Sequence, residues 1–231
     1  MSVLALIQAR MGSSRLPGKM MMPLVSGKGA LELMLERVGS ATSIQKIVVA
    51  TSDLEQDDCL SALCKSLNVP CFRGSETDVL DRYYQAVAQY PEFDVVVRLT
   101  GDCPLHDPKV IDQVVHAFLD GQADYVSNVD PPTFPDGFDI EVFRRDVLAK
   151  AWAAATVPEE REHVTLYIRN NRTLFNLKNV PHSQDQSRVR LTLDTLTDFE
   201  VIQFVFQHLY PASPDFGLDD ILAFLATHDR L

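Results

Sequence analysis

The sequence predicts an α/β fold: a single domain built on a mostly parallel, twisted sheet that is flanked by helices. Through the first 130 residues, short apolar runs typical of buried strands alternate with the periodicity of amphipathic helices. Such an alternation makes neighbouring strands parallel and places helices on both faces of the sheet. The 231 residues, 46% of them hydrophobic, can bury one large core, and no linker or low-complexity tract divides them.

The predicted elements of the first part follow one another regularly. An apolar run at 3–8 predicts the first strand, and the helix predicted at 30–38 carries Leu31, Met34 and Val38 on one face. Further strands are predicted at 46–51, 70–72, 94–99 and 125–127, and further helices at 57–67, 78–88 and 108–119.

Beyond residue 130 the alternation loosens, beginning with a Pro-rich loop at 130–136. Ligands of parallel sheets bind at the carboxyl ends of the strands, so the loops that follow the strands are the expected site. The elements predicted here are strands at 138–143, 175–180 and 189–193, and helices at 146–155, 161–169, 197–209 and 218–228.

Positive charge is concentrated at the start of the chain. Residues 1–31 contain Arg10, Arg15, Lys19 and Lys28 and no acid, whereas the other 200 residues hold 17 basic and 32 acidic groups. This distribution argues against nucleic acid and anionic membranes as partners, because both require an extended basic surface. It is compatible with a small, multiply charged anion that binds together with a metal ion.

Two further features predict a cytoplasmic protein. No apolar run approaches the roughly 20 residues needed to span a bilayer, and the first strand follows Met1 without a signal-like segment. The four cysteines lack C-x-x-C spacing and lie in or beside predicted core elements, which predicts free buried thiols. These residues are Cys59, Cys64, Cys71 and Cys103.

The loop after the first strand, residues 9–19, is the first candidate site. It is not a P-loop, because Met20 follows Gly18-Lys19. The nearby Gly27-Lys28-Gly29 is not a dinucleotide-binding motif, because Glu32 stands where the third glycine belongs. Its small residues are expected to let backbone amides approach phosphate oxygens, while its cations neutralise the charge that grows on a pyrophosphate leaving group. The alternative is a solvated surface loop whose arginines cap helix ends. The predicted nucleotide-binding residues of this loop are Ala9, Arg10, Met11, Gly12, Ser13, Ser14, Arg15 and Lys19.

Two aspartates that follow predicted strands form the second candidate site. Asp102 comes after the strand at 94–99, and Asp194 comes after the strand at 189–193. One Mg²⁺ ion held by two carboxylates and by nucleotide phosphates is a common arrangement, so both residues are predicted metal ligands. The alternatives are that Asp102 only caps the next helix and that Asp194 or Thr195 is the N-cap of the helix at 197–209.

These residues also carry a family resemblance. The opening I-Q-A-R-M-G-S-S-R-L-P-G-K (7–19) resembles the start of the cytidylyltransferases that make CMP-activated acidic sugars, especially the CMP-KDO synthetases. Over nearly the full chain, the sequence is still more similar to the spore coat polysaccharide biosynthesis protein F family, a branch of that superfamily. The matching stretches are I-V-V-A-T-S-D (47–53), F-R-G-S-E-T-D-V-L-D-R (72–82), V-R-L-T-G-D-C-P-L (97–105), D-Y-V-S-N (124–128), P-D-G-F-D-I-E-V-F (135–143), R-E-H-V-T (161–165) and L-T-L-D-T (191–195).

The resemblance implies a nucleotide-diphospho-sugar transferase-like, Rossmann-like fold. Its nucleotide-binding half would span 1–130, and its sugar-binding and closing half would span 131–231. It also implies a Mg²⁺-dependent reaction in which a sugar hydroxyl attacks the α-phosphate of CTP. Arg10, Arg15 and Lys19 would bind the triphosphate, and Asp102 and Asp194 the magnesium ion. The predicted catalytic residues are Arg15, Lys19 and Asp102.

Other residues are assigned from their positions within the matching stretches. Gly74, Ser75, Asp78 and Thr100 are predicted to bind the nucleotide, and the alternative for Asp78 is that it simply begins a helix. Asn128, Asp139, Glu141 and His163 are predicted to bind the sugar. The alternatives are that Asp139 and Glu141 face solvent on a strand and that His163 is a structural helix residue. CTP as the donor rests on kinship, since Gln8 replaces the usual proline of the CMP-KDO synthetases.

Two other functions remain open at this point. One is a glycosyltransferase that uses a ready-made nucleotide-sugar, and the other is a non-catalytic nucleotide-binding protein. Release of pyrophosphate separates the favoured reaction from both. The related enzymes are commonly dimers, so a homodimer is a further expectation.

Overall fold

The computed structural model describes residues 1–228, so the last three residues of the predicted domain 1–231 lie outside the described residues. The strands are β1 (Val3–Gln8), β2 (Pro23–Val25), β3 (Lys28–Gly29), β4 (Lys46–Ser52), β5 (Cys71–Gly74), β6 (Val95–Thr100), β7 (Tyr125–Ser127), β8 (Glu141–Arg144) and β9 (Leu177–Asn179). The helices are α1 (Ala30–Gly39), α2 (Asp58–Ser66), α3 (Val79–Ala88), α4 (Pro108–Leu119), α5 (Arg145–Ala154), α6 (Pro158–Glu162), α7 (Leu166–Asn170), α8 (Leu196–Leu209) and α9 (Leu218–Ala226).

Seven strands form one sheet in the order β5-β4-β1-β6-β8-β7-β9. β1 pairs in parallel with β4 and β6, and β4 pairs in parallel with β5. Strand β8 runs antiparallel to both of its neighbours, whereas β7 and β9 are parallel. The predicted α/β fold with a mostly parallel sheet is therefore confirmed.

Two apolar clusters cover the two faces of the sheet, and β1 contributes to both. Val3, Ala5 and Ile7 pack in one cluster, whereas Leu4 and Leu6 pack in the other. Successive side chains of a strand point to opposite faces, so this division makes β1 a central strand that is buried on both sides. Burying each of its larger side chains stabilises the fold by roughly 1.5–3 kcal/mol.

Several elements have the bounds that local sequence patterns predict. β1, β7 and α4 have the predicted limits. In α4, the Asp107 side chain accepts a hydrogen bond from the Lys109 amide at 2.8 Å, and Pro108 occupies the first turn. An N-cap aspartate followed by proline is a strong helix start.

The predicted strand at 189–193 is wrong. Its backbone makes an isolated bridge between Asp136 and Arg190 instead of a ladder. The Leu191 amide donates to Asp136 O, and the Leu193 amide donates to Asp102 O, each at 2.7 Å. The alternation of apolar residues therefore reflects the burial of their side chains. The backbone amides of this segment donate to two different loops, so the segment does not form a strand of the sheet.

Two other predictions need correction, and one hairpin was not predicted. The helix predicted at 161–169 is broken into α6 and α7, and Val164 between them has a φ of 47°. The strand predicted at 138–143 begins only at Glu141. The hairpin of β2 and β3 was not predicted, because strands of three and two residues are too short to show a periodicity.

Across residues 1–228, no helix combines the length and the apolar character needed to cross a membrane.

Candidate active site

A cleft of about 430 Å³ opens at the carboxyl ends of β1 and β6. It gathers most of the loop at 9–19, called the first loop below, together with both predicted metal ligands. The lining residues are Gln8, Ala9, Arg10, Gly12, Ser13, Ser14, Arg15, Lys19, Met20, Val79, Arg82, Asp102, Glu162, His163 and Asp194.

The first loop is folded around one carbonyl group. Met11 O accepts hydrogen bonds from the Ser13 amide at 2.8 Å and, more weakly, from the Gly18 amide at 3.5 Å. Gly18 has a φ of +76°, a conformation that favours glycine. In the part of the chain that the structure describes, the Gly12, Ser14 and Arg15 amides have no acceptor. Free amides beside exposed arginines form a concave site suited to an anion.

Lys19 links the two predicted metal ligands. Its Nζ lies 3.0 Å from Asp102 Oδ2 and 3.0 Å from Asp194 Oδ1, and its side chain is only 7% exposed. Arg15 and Arg190 also contact Asp194 Oδ2, at 3.1 and 2.7 Å. Partial burial raises the pKa of Asp194, but the hydrogen bond from Lys19 and the neighbouring positive charges outweigh it and lower that pKa below its usual value.

Backbone contacts explain why the two carboxylates converge. The Gly101 amide donates to Gln8 O at 2.7 Å, and a Cβ at Gly101 would lie 3.0 Å from both Gln8 O and Ala9 Cβ. The turn after β6 therefore packs so closely against the end of β1 that a side chain at position 101 would require its neighbours to move by a few tenths of an ångström. The hydrogen bond from Leu193 to Asp102 O then brings Asp194 beside Asp102.

Asp194 is not the N-cap of α8. Thr195 has that role: its side chain accepts from the Asp198 amide at 3.2 Å, and Asp198 accepts in return from the Thr195 amide at 2.8 Å. This capping box satisfies the start of the helix without the Asp194 carboxylate. That carboxylate is therefore left to bind cations.

The predicted nucleotide-binding residues outside the first loop do not line the cleft. The alternative for Asp78 is confirmed: it caps α3 by accepting from the Asp81 amide at 2.9 Å, and it also forms an ion pair with Arg161 at 2.6 Å. Ser75 Oγ accepts from the Asp78 amide at 3.0 Å. Gly74 lies at the end of β5, and Thr100 Oγ1 contacts Cys103 Sγ at 3.2 Å.

Two of the four predicted sugar ligands are internal. Asn128 is 2% exposed; it donates to Phe138 O at 2.7 Å and accepts from the Ile140 amide at 2.8 Å. Glu141 is 3% exposed, and its carboxylate forms an ion pair with Arg98. The solvent-facing alternative for Glu141 is therefore wrong, and both side chains lie beneath the surface of the protein.

Tyr125 and Thr165 complete the surroundings of Glu141. Their hydroxyl groups donate to Glu141 Oε1 at 2.5 and 2.6 Å. Burial raises the pKa of Glu141, but Arg98 and these two hydroxyl groups outweigh it and hold the pKa below its ordinary value. Glu141 is thus an ionised group whose hydrogen-bonding capacity is used within the protein.

Asp139 and His163 remain accessible. Asp139 is exposed, as its alternative predicted, but it lies in a loop before β8. The protein that surrounds its carboxyl group, together with Asp136 and Glu141, raises its pKa to about 6. His163 is also exposed, and it lines the cleft between α6 and α7. It is therefore not a packed structural histidine.

Several lining residues were not predicted, and Arg82 is the most informative of them. It is 2% exposed, its Nη1 donates to Ser75 O at 2.6 Å, and its buried Nε has no partner within residues 1–228. The signal for it is its place one turn into α3, where a long side chain reaches back towards the strand ends. The other lining residues that were not predicted as site residues are Gln8, Met20, Val79 and Glu162.

The metal-ligating groups of the cleft are few. Within the described residues, no group of three or more His, Cys, Asp or Glu side chains has the geometry to hold a metal ion. Three carboxylates line the cleft, those of Asp102, Glu162 and Asp194, and the structure shows Asp102 and Asp194 converging on Lys19.

The similarities to known proteins agree with this geometry. A family model described as cytidylyltransferase matches residues 4–210. The spore coat polysaccharide biosynthesis protein SpsF of Bacillus subtilis is 36% identical over 230 residues, which cover 96% of this chain and 93% of SpsF.

Solved structures extend the similarity. A cytidylyltransferase from Leptospira borgpetersenii superimposes with a TM-score of 0.94 at 37% identity, covering 99% of this chain and 95% of that one. A CMP-KDO synthetase complexed with CTP has a TM-score of 0.68 at 20% identity, covering 89% of this chain and 98% of that one, and it shares the fold. The chain therefore belongs to the cytidylyltransferase family.

Proposed function

We propose that this enzyme transfers CMP from CTP to a hydroxyl group of an acidic or polysaccharide-precursor sugar and releases pyrophosphate. The observation that carries the proposal is the meeting, in one cleft, of the cationic first loop with Asp102 and Asp194. Membership of the cytidylyltransferase family supports CTP as the donor. The similarity to SpsF supports a role in surface polysaccharide biosynthesis.

The reaction needs no covalent enzyme intermediate. The sugar hydroxyl loses its proton to solvent and its oxygen forms a bond to the α-phosphorus. The bond from that phosphorus to the bridging oxygen breaks, and pyrophosphate leaves with the electron pair. Arg10, Arg15 and Lys19, with the free amides of the first loop, stabilise the negative charge that grows on the leaving group. Alignment of the two substrates in the cleft supplies much of the remaining acceleration.

The two aspartates fit a divalent cation, and we propose Mg²⁺. Lys19 Nζ contacts one oxygen of each carboxylate at 3.0 Å, so a positive charge is already stabilised between them. Mg²⁺ favours one or two carboxylates supplemented by substrate phosphates, which matches a site with two such ligands. When bound there, Mg²⁺ would neutralise phosphate charge and orient the triphosphate.

The sugar is expected on the side of the cleft that His163 lines, with Asp139 as an exposed carboxyl group outside the lining. His163 is an exposed imidazole at the cleft wall, suited to a sugar carboxylate or hydroxyl group. Asn128 is proposed to act from beneath by holding the backbone at Phe138 and Ile140, and Glu141 by holding the side chains of Arg98 and Thr165. Gly74, Ser75, Asp78 and Thr100 are proposed to shape the nucleotide side of the cleft.

One experiment tests the proposal. The protein is incubated with Mg²⁺, a panel of sugar acids and neutral sugars, and CTP, ATP, GTP or UTP in turn, and pyrophosphate and the nucleotide-sugar are quantified. We expect release of pyrophosphate that requires both CTP and an acceptor. Binding of CTP without turnover for any acceptor would favour a non-catalytic nucleotide-binding protein, and consumption of a nucleotide-sugar without pyrophosphate would favour a glycosyltransferase. A homodimer is part of the proposal and is tested by light scattering after gel filtration.

A further inference from the structure

Asp57 is a buried carboxylate outside the cleft lining. It precedes α2 directly, is 0% exposed and forms no ion pair within the described residues. Both of its oxygens are nevertheless occupied. Oδ1 accepts from the Met11 amide at 2.7 Å, and Oδ2 accepts from the Ser52 amide at 3.1 Å and from Ser52 Oγ at 2.5 Å.

This arrangement requires a carboxylate. Three donors point at one side chain, and an ionised carboxylate can accept from all three, whereas an amide would turn an NH₂ group towards at least one of them. Asp57 is at the N-cap position of α2, yet its side chain makes no capping hydrogen bond. The positive end of the helix favours its charge, while its oxygens are directed to the first loop and to the end of β4.

The contact with Met11 lies at the base of the first loop. Met11 N is held by Asp57, and Met11 O accepts from Ser13 and Gly18. Met11 therefore connects Asp57 to the hydrogen bonds that fold the first loop. A second contact supports this junction, since a Cβ at Gly12 would lie 2.9 Å from Gln56 Nε2. Residues 56 and 57 thus lie directly against the start of the loop.

We propose that Asp57 is a positioning residue that holds the first loop in the conformation that receives the nucleotide phosphates. This inference rests on the proposed function, because it assigns the phosphates to that loop. With Met11 fixed, the amides of Gly12, Ser14 and Arg15 stay free and oriented before the ligand arrives. Without the contact, the loop has to be ordered on binding, and affinity for the nucleotide falls.

Asp57→Ala and Asp57→Asn test the inference, with Ser52→Ala as the matched control. Ser52→Ala removes a hydrogen bond from the same carboxylate but leaves its contact with Met11. The Kd of CTP is measured by calorimetry with Mg²⁺, and amide hydrogen exchange is followed across residues 9–19. We expect Asp57→Ala to raise the Kd at least tenfold and to speed exchange in that segment. Asp57→Asn should have an intermediate effect, and Ser52→Ala should stay within about twofold. The KM of the acceptor should change little in all three.

The outcomes separate this inference from the proposed function. Wild-type protein that fails to bind CTP would overturn the proposed function, while exchange in residues 9–19 would still test the role of Asp57. If CTP binds and the Asp57 variants match Ser52→Ala in both Kd and exchange, the inference is wrong. If Asp57→Ala does not fold by circular dichroism, Asp57→Asn carries the same comparison.

Discussion

On the proposed nucleotide side of the cleft, polar groups are open to a ligand, whereas on the proposed acceptor side the protein itself occupies many of them. Gly12 and Ser14 keep unpaired amides among the described residues, and Arg15 has a side chain that is 61% exposed. Asn128 and Glu141, by contrast, are buried and fully engaged. The proposed nucleotide side thus has polar groups free for a charged ligand, and the proposed acceptor side has few accessible groups.

Substitution of Asp102 should have the largest effect, and it tests the difference between the two sides of the cleft. Asp102→Asn keeps the shape of the side chain but removes half of the charge that faces Lys19. If the residue is a metal ligand, we expect kcat to fall on the order of 10²–10³-fold, since metal and charge stabilisation supply effects of that size. Pyrophosphate release measures the loss, and thermal unfolding checks the fold. The exposed Asp120→Asn at the end of α4 is the control, and near-normal turnover of Asp102→Asn would contradict the metal role.

Lys19→Met removes the cation that Asp102 and Asp194 share. We expect kcat/KM to fall about 100-fold, because the leaving pyrophosphate loses a buried positive partner. Mn²⁺ without nucleotide should bind more tightly to this variant, because the two carboxylates lose a competing cation. Electron paramagnetic resonance of free Mn²⁺ measures that binding.

Arg15→Met is the control for Lys19. Arg15 is more exposed and contacts Asp194 alone, so its removal should lower kcat/KM less and change Mn²⁺ binding little. Equal effects of the two substitutions on Mn²⁺ binding would show that only the overall charge of the cleft matters.

On the acceptor side, Glu141→Gln should affect stability more than nucleotide affinity. It leaves the Arg98 guanidinium partly unpaired in the interior, which costs roughly 3 kcal/mol in comparable buried pairs. We expect a corresponding loss in urea unfolding, with the Kd of CTP within about threefold of wild type. Asp146→Asn, which disrupts exposed ion pairs, should cost less than about 1 kcal/mol. A large change in CTP affinity for Glu141→Gln would break the distinction between the two sides.

Asp139 should give the smallest effect, and that effect depends on pH. Its folded-state pKa of about 6 lies above the ordinary value, so the folded protein binds more protons than the unfolded chain between about pH 4 and 6. The ionised carboxylate is therefore destabilising above pH 6, and this cost disappears as the pH falls towards 4. We expect Asp139→Asn to raise Tm at pH 7.5 by a few degrees at most, and not at pH 4. An equal rise at both pH values would contradict this assignment.

An element was predictable from the sequence when the residues that define it lie within or beside it in the chain. The bounds of α4 were predictable because Asp107 and Pro108 mark its start within the chain itself. The strand predicted at 189–193 failed because alternation reports burial, whereas its hydrogen-bond partners, Asp136 and Asp102, are remote in sequence. The break at Val164 likewise has no counterpart in the helical pattern around it.

The candidate site divides in the same way. The cationic first loop and the approximate place of Asp102 were predictable, because charge and strand ends can be read locally. The way in which Asp194 is brought to Asp102, by the hydrogen bond of the Leu193 amide, was not predictable, because Asp194 does not follow a strand. For Arg82 the sequence offers only its place one turn into α3, and for Asp57 it offers no signal for the contact with Met11.

The sequence by itself determined the α/β class, the order of most elements and the concentration of positive charge in the first loop, because these depend on local periodicity and composition. Only the tertiary structure decided which polar groups are left free for a ligand. It placed Lys19 between Asp102 and Asp194, paired Glu141 with Arg98 and turned Asp57 towards Met11. Whether a charged group binds a ligand or its own protein depends on neighbours that are distant in the chain, and only folding brings those neighbours together.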